Sequence, residues 1–110
     1  MTASAYPEHW HPSAIDTYET VLAEQPELSG AAFSSLIEAT ELLTTAYRLA
    51  EVAAAAGYVS TGSMGQAVVH PATVESRLAR ADAARILARL IAPTSRGQRL
   101  ARQRHGGAAR

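Results

Sequence analysis

Four groups of residues have the types and spacing to do chemistry. The glycine turn Gly62-Ser63-Met64-Gly65 has the backbone freedom to cradle a phosphate. A nucleotide-binding loop also needs a lysine to reach the β/γ-phosphates, and the chain contains none. The turn follows a helix and leads into a strand, whereas a phosphate loop joins a strand to a helix. His9 and His11 flank Trp10, and an H-x-H pair on extended chain can hold a metal. No Cys, Asp or further His lies nearby to complete a shell, which favours a surface or capping role. Asp16, Glu19 and Glu24 could act as general acids or bases, yet acids in the first turns of an exposed helix ordinarily complement its dipole. The fourth group is arginine: Arg77, Arg80, Arg85 and Arg89, then Arg96, Arg99, Arg102 and Arg104. A guanidinium grips two phosphate oxygens at once, so this series is a candidate DNA-binding set, though it equally suits buried ion pairs.

The net charge of zero conceals a division along the chain. Residues 1 to 51 hold eight acids and one arginine, giving −7, and residues 52 to 110 hold two acids and nine arginines, giving +7. One reading is a basic end for a polyanion; the other is two long helices that pair their charges in an antiparallel hairpin. Residues 96 to 110 contain no acid at all, which favours a polyanion as their partner over a solvated end or a docking segment for a protein. Phosphate contacts of this kind read no bases, and each adds about one unit of salt dependence to the affinity.

The elements that must position these groups are helical. Ser13 with Asp16 has the form of a capping box, and Gln25-Pro26 stops the helix it starts, which carries Ile15, Tyr18, Val21 and Leu22 on one side. Trp10 is placed to lie over that helix. Ser29 caps a second helix predicted from Gly30 to Ala56, about 40 Å long at 1.5 Å per residue, with Gly57 ending it. Phe33, Leu36, Ile37, Thr40, Leu43, Tyr47 and Ala50 form its stripe, while Leu42, Leu49 and Val52 lie off it. Two apolar faces imply two neighbours, the returning helix and a second copy of the chain. Residues 58 to 69 change to β-favouring pieces about the glycine turn and predict a β-hairpin; His70-Pro71 then opens a third helix, predicted to end at Ala92 before Pro93. Val74, Leu78 and Ala81 are its expected seam, and Ile86, Leu87, Leu90 and Ile91 surround its second half on nearly every side. Thr94 or Ser95 can cap one further short turn before a basic tail.

The expected fold is therefore mainly α. A short N-terminal helix precedes a long antiparallel helical hairpin whose two helices are joined by a small β-hairpin, and a basic C-terminal tail follows. The expected organisation is a loose arm over 1–12, a helical oligomerisation domain over 13–92 with the β-hairpin at 58–69, and a basic segment over 93–110. At 110 residues a monomer buries only about two thirds of its extended-chain surface, and alanine contributes little of it, so association should complete the core. The residues expected to carry that association are Leu36, Leu43, Tyr47, Val59, Val68, Leu78, Ile86, Leu87, Leu90 and Ile91. The absence of cysteine excludes disulfides and thiolate metal sites, and no apolar run approaches the ~20 residues that cross a bilayer. A cytoplasmic location is expected, with no membrane partner and no cofactor.

Val59-Ser60-Thr61-Gly62-Ser63-Met64-Gly65-Gln66, followed by Val69-His70-Pro71, resembles the V-x-x-G-S-x-G-Q…H-P signature of the P27-like family of phage terminase small subunits. The likeness extends over roughly residues 8 to 102, from Trp10 through the helix ending Ala46-Tyr47-Arg48-Leu49-Ala50-Glu51 to the Pro93-Thr94-Ser95-Arg96 segment. It implies a non-catalytic, ring-forming homo-oligomer in a bacterial host cell. Such a protein binds double-stranded viral DNA and delivers it to a large terminase subunit that carries the ATPase and nuclease of genome packaging. The chain's own residues agree with that division of labour, having no phosphate loop, no acidic metal cluster and no nucleophile-base pair. They offer no convincing recognition helix either, since the helix after the Gln25–Gly30 turn has no basic group until Arg48. The alternative from another class is a helical protein-protein adaptor whose basic tail docks on an acidic surface, with no direct role on DNA.

Overall fold

The computed structural model describes residues 5–108, with side chains placed from residue 5 to residue 91. The elements are α1 (Pro12–Glu24), α2 (Gly30–Ala55), β1 (Val59–Thr61), β2 (Ala67–Val69) and α3 (Pro71–Ala108). This is the expected short helix followed by a helical hairpin with a two-stranded ribbon at its bend.

Local chemistry sets most of the boundaries. α1 starts one residue before Ser13, because Pro12 takes the first helical position and His11 is held extended at φ −71°, ψ 140°. The cap is His11, whose Nδ1 accepts from the Ser13 amide at 3.0 Å, so the capping box from Ser13 to Asp16 is not used. α3 opens in the same way: His70 Nδ1 accepts from the Ala72 amide at 3.0 Å, with Pro71 first in the helix. Ser29 occupies the cap position of α2, but its hydroxyl makes no capping bond. At the far end of α2, Gly57 turns left-handed at φ +68°. The Tyr58 amide donates to the Ala53 carbonyl at 2.7 Å and the Gly57 amide to Ala54 at 3.0 Å, which is a Schellman closure.

The ribbon pairs antiparallel in the register Val59↔Val69, Ser60↔Val68, Thr61↔Ala67. The Gly62 amide donates to the Gln66 carbonyl at 2.7 Å, and the His70 amide donates to Tyr58 at 3.0 Å across the base. A Cβ at Gly62 would stand 2.5 Å from the Gln66 amide group folded over the turn, so a side chain there would have to displace that amide.

α2 and α3 run antiparallel. Their facing positions advance in steps of three, four and seven: Leu36, Ala39, Leu43, Ala46 and Ala53 on α2, Ala72, Ser76, Ala79, Ala83 and Leu90 on α3, all buried. This is a coiled-coil seam built mostly from alanine. The Ser76 hydroxyl reaches across to the backbone carbonyl of Ala46 at 2.8 Å, a span that a side chain of two heavy atoms bridges only where the helices approach closely. α1 lies over the seam, with Ala14 against Leu43 and Ala83, and Val21 against Leu36 and Leu90. The Gln25 amide donates to the Leu90 carbonyl at 3.1 Å and ties α1 to α3.

Two sequence expectations are corrected. The α3 seam is not Val74, Leu78 and Ala81, which are exposed; close helix approach selects the small residues Ala72, Ser76, Ala79 and Ala83 instead. Nor does α3 stop at Ala92, since it continues through Pro93 to Ala108 with Thr94 and Ser95 inside it. A proline inside a helix costs about 3 kcal/mol through one lost backbone bond and a clash, and Thr94, Ser95 and Gly97 beyond it are weak helix formers; the strong ones stand to either side of this stretch, Leu87 to Leu90 before it and Gln98 to Gln103 after it.

Candidate nucleic-acid interface

Seen down α3 at 100° per residue, the seam leaves Arg77 and Arg80 on one flank and Arg85 and Arg89 on the other. The structure therefore brings the first pair together and separates it from the second. The Arg80 guanidinium sits 5.1 Å from the centre of the Tyr47 ring, the ring on which His11 also stacks. Arg85 is drawn to Asp82 at 2.9 Å, one turn back on its own helix. Among the described residues, Arg77, Arg80 and Arg89 form no ion pair. Among the described residues no carboxylate of α2 bonds an arginine of α3, and the other arginine pair, Arg48–Glu51 at 3.5 Å, is internal to α2. Over the described residues, the two long helices are thus joined by their apolar seam and not by pairs of opposite charge. Arg96, Arg99, Arg102 and Arg104 fall in the last turns of α3, and their side chains lie outside the described ones.

Two of the three α2 acids, Glu41 and Glu51, are engaged by the N-terminal segment instead. The His9 Nε2 lies 2.8 Å from the Glu41 carboxylate, and the Trp10 indole donates to the same carboxylate at 2.8 Å. The His11 Nε2 contacts Glu51 at 2.9 Å while its amide donates to the Thr44 hydroxyl at 3.1 Å. Because the His11 Nδ1 accepts from an amide, its Nε2 carries the ring proton that Glu51 receives. The hydrogen bonds from Trp10 and then His9 hold the Glu41 carboxyl below the usual 4.5, and those from His11, aided by Arg48, do the same for Glu51. Trp10 is 4% exposed, with its ring 5.1 Å from Tyr18 and stacked on Tyr6. The segment from Tyr6 to Pro12 is therefore docked rather than loose, which corrects that part of the expected arm. Its two histidine rings reach different glutamates and do not share a ligand.

The expected association residues divide in three. Leu36, Leu43 and Leu90 are buried within the protomer, where α1 and the α2–α3 seam consume them, so they have nothing to offer a second copy. Tyr47, Leu87, Ile86 and Val68 are half-buried, the first two packing against the core clusters. Val59, Leu78 and Ile91 are exposed, Leu78 by 53%. Val69 and Val74 join them: Val69 is the cross-strand partner of Val59 on the outer face of the ribbon, and Val74 stands one turn before Leu78.

At the hairpin end a cavity of about 150 Å³ opens between α2, the ribbon and α3, with Ala50, Ala53, Tyr58, Thr73, Arg77 and Arg80 around it. Sequence reasoning did not connect Tyr58, Thr73 and Ser76 with Arg77 and Arg80. The available signal was the helical spacing T-x-x-S-R-x-x-R from Thr73 to Arg80. Among the described residues no three His, Cys, Asp or Glu side chains gather, and no helix is long and apolar enough to cross a membrane. No family model matches the chain, no curated protein matches it, and no solved structure matches it.

Proposed function

We propose that this chain is a non-catalytic, self-associating DNA-binding protein of the terminase small subunit kind, working with a large subunit that carries the packaging chemistry. The observation that carries the DNA part is the set of α3 arginines directed away from the seam, of which Arg77, Arg80 and Arg89 have no carboxylate partner among the described residues. A helix placed in this way neutralises backbone phosphates and positions the protein on a duplex without reading sequence. The two arginine flanks point in different directions, which suits a duplex contacted by more than one copy. The resemblance at Val59 to Pro71 supplies the viral setting, and the exposed Val59, Val69, Val74 and Leu78 supply surface for the copies to meet.

A filter-binding titration with duplex DNA at low salt tests it. The intact chain should bind with an affinity that falls steeply as salt rises, and replacing Arg77, Arg80 and Arg89 together by Gln should lower both the affinity and the salt slope, by about one unit per lost contact. Equally poor binding by both proteins would leave the adaptor reading in its place. That second reading draws on Met64, 90% exposed at the ribbon tip beyond Val59 and Val69, a surface suited to a protein partner.

A further inference from the structure

The cavity at the hairpin end has a feature that self-association and general phosphate contact do not use. Thr73 lines it, and the Thr73 Oγ1 is buried with no hydrogen-bond partner among the described residues. A buried hydroxyl left unpaired is costly, and native structures rarely keep one without a ligand, ion or water to satisfy it. Ser76, next along the same wall, is already satisfied by the Ala46 carbonyl, so the open hydrogen-bonding capacity rests with Thr73. Arg77 and Arg80 line the same cavity, one turn apart, and neither is bonded to a carboxylate among the described residues. Arg80 is steadied by the Tyr47 ring at 5.1 Å, and this limits the side-chain freedom it would lose on gripping an anion. Ala50 and Ala53 supply a wall without bulk. The space of about 150 Å³ is roughly five times the ~30 Å³ share of a liquid water, room for one tetrahedral oxyanion with a few waters.

From these observations we infer that the cavity between the end of α2, the ribbon and the start of α3 is a site for a single phosphate oxyanion, with Arg77 and Arg80 gripping it and the Thr73 hydroxyl donating to it. Two sources share that chemistry, the backbone phosphate of a nucleic acid and free inorganic phosphate. The first rests on the DNA reading above; the second does not.

The test uses the full chain and three variants, Thr73→Val, Arg77→Gln and Arg80→Gln, with Arg89→Gln as a control on the opposite flank. Inorganic phosphate is titrated while backbone amide NMR signals are followed, and duplex DNA is titrated by filter binding at low salt. Saturable movement of the Tyr58, Thr73, Arg77 and Arg80 signals is expected, weakened about tenfold or more by Thr73→Val and by each cavity arginine variant, and unchanged in Arg89→Gln. Thr73→Val preserves the shape of the side chain and should melt no lower than the parent, so a loss of binding in it is not a loss of fold. If Thr73→Val also weakens duplex binding, the occupant is a backbone phosphate. If it weakens phosphate binding and leaves duplex binding intact, the occupant is free phosphate. A parent that binds phosphate here but binds no duplex retains the site and loses the DNA reading. A parent that binds duplex, yet shows no saturable phosphate shift and no sensitivity to Thr73→Val, overturns the site and keeps the DNA reading.

Discussion

His11 and His70 do the same work at two helix starts. Each ring spends its Nδ1 on the amide two residues on, and each is followed by a proline already set for the first helical position. Replacing His70 by Ala should cost about 1 kcal/mol of unfolding free energy, read as a lower urea midpoint at unchanged slope, and Asn at the same position should restore most of it. Glu41 gives a pH signature. Its carboxyl is held below its ordinary 4.5 by the Trp10 and His9 hydrogen bonds, so its contribution is complete above that value and is lost as the pH falls through the depressed one. Melting temperature should therefore fall more steeply from about pH 5 to about pH 3 in the parent than in Glu41→Gln, which has no carboxylate to protonate there. Single-residue roles with a local cause were legible beforehand: Gly57 as the left-handed helix end, Pro71 as a helix start, Trp10 as an anchor. The glutamates that receive His9 and His11 were not, because a contact spanning some thirty to forty residues leaves no mark in local pattern.

The seam between α2 and α3 shows where reasoning from hydrophobicity alone goes astray. Val74 and Leu78 outrank alanine on any transfer scale, yet Ala72, Ala79 and Ala83 are the ones buried. Once Ala39, Ala46 and Ala53 are spaced by seven on the facing helix, the short distance between backbones repels larger groups. Ala46→Leu should accordingly destabilise the fold by about 1–3 kcal/mol through overpacking, measured by denaturant unfolding, although it adds apolar surface. The same change at the exposed Ala81 should stay within about 0.5 kcal/mol. The number and order of elements were readable because capping, glycine and proline signals are local. Which face of α3 turned inward was not, since that depends on two helices meeting. The passage of α3 through Pro93 belongs to the same class, the penalty of one proline being set against the propensity of the helix formers around it.

For the molecule as a whole, the separation of charge survives folding. Of the first-half acids, Glu41 and Glu51 are met by histidine and by the Trp10 indole, while Arg77, Arg80, Arg85 and Arg89 of α3 remain exposed. Folding also leaves Val59, Val69, Val74 and Leu78 in contact with water, so the protomer carries apolar surface its own core does not claim. Solution mass by light scattering should exceed that of one chain, and the double change Val59→Ser with Leu78→Ser should return it to one chain with little loss of melting temperature, because neither side chain is buried in the protomer. An unchanged mass would place the contact between copies elsewhere. The ribbon has one more implication. Its base is stitched by the His70 amide to Tyr58, so the chain comes back to its point of departure before α3 begins. What happens at the tip, around Met64, is thereby insulated from the packing of the two rods, and this is the locus where added sequence could diversify the protein's attachments while its architecture stays as it is.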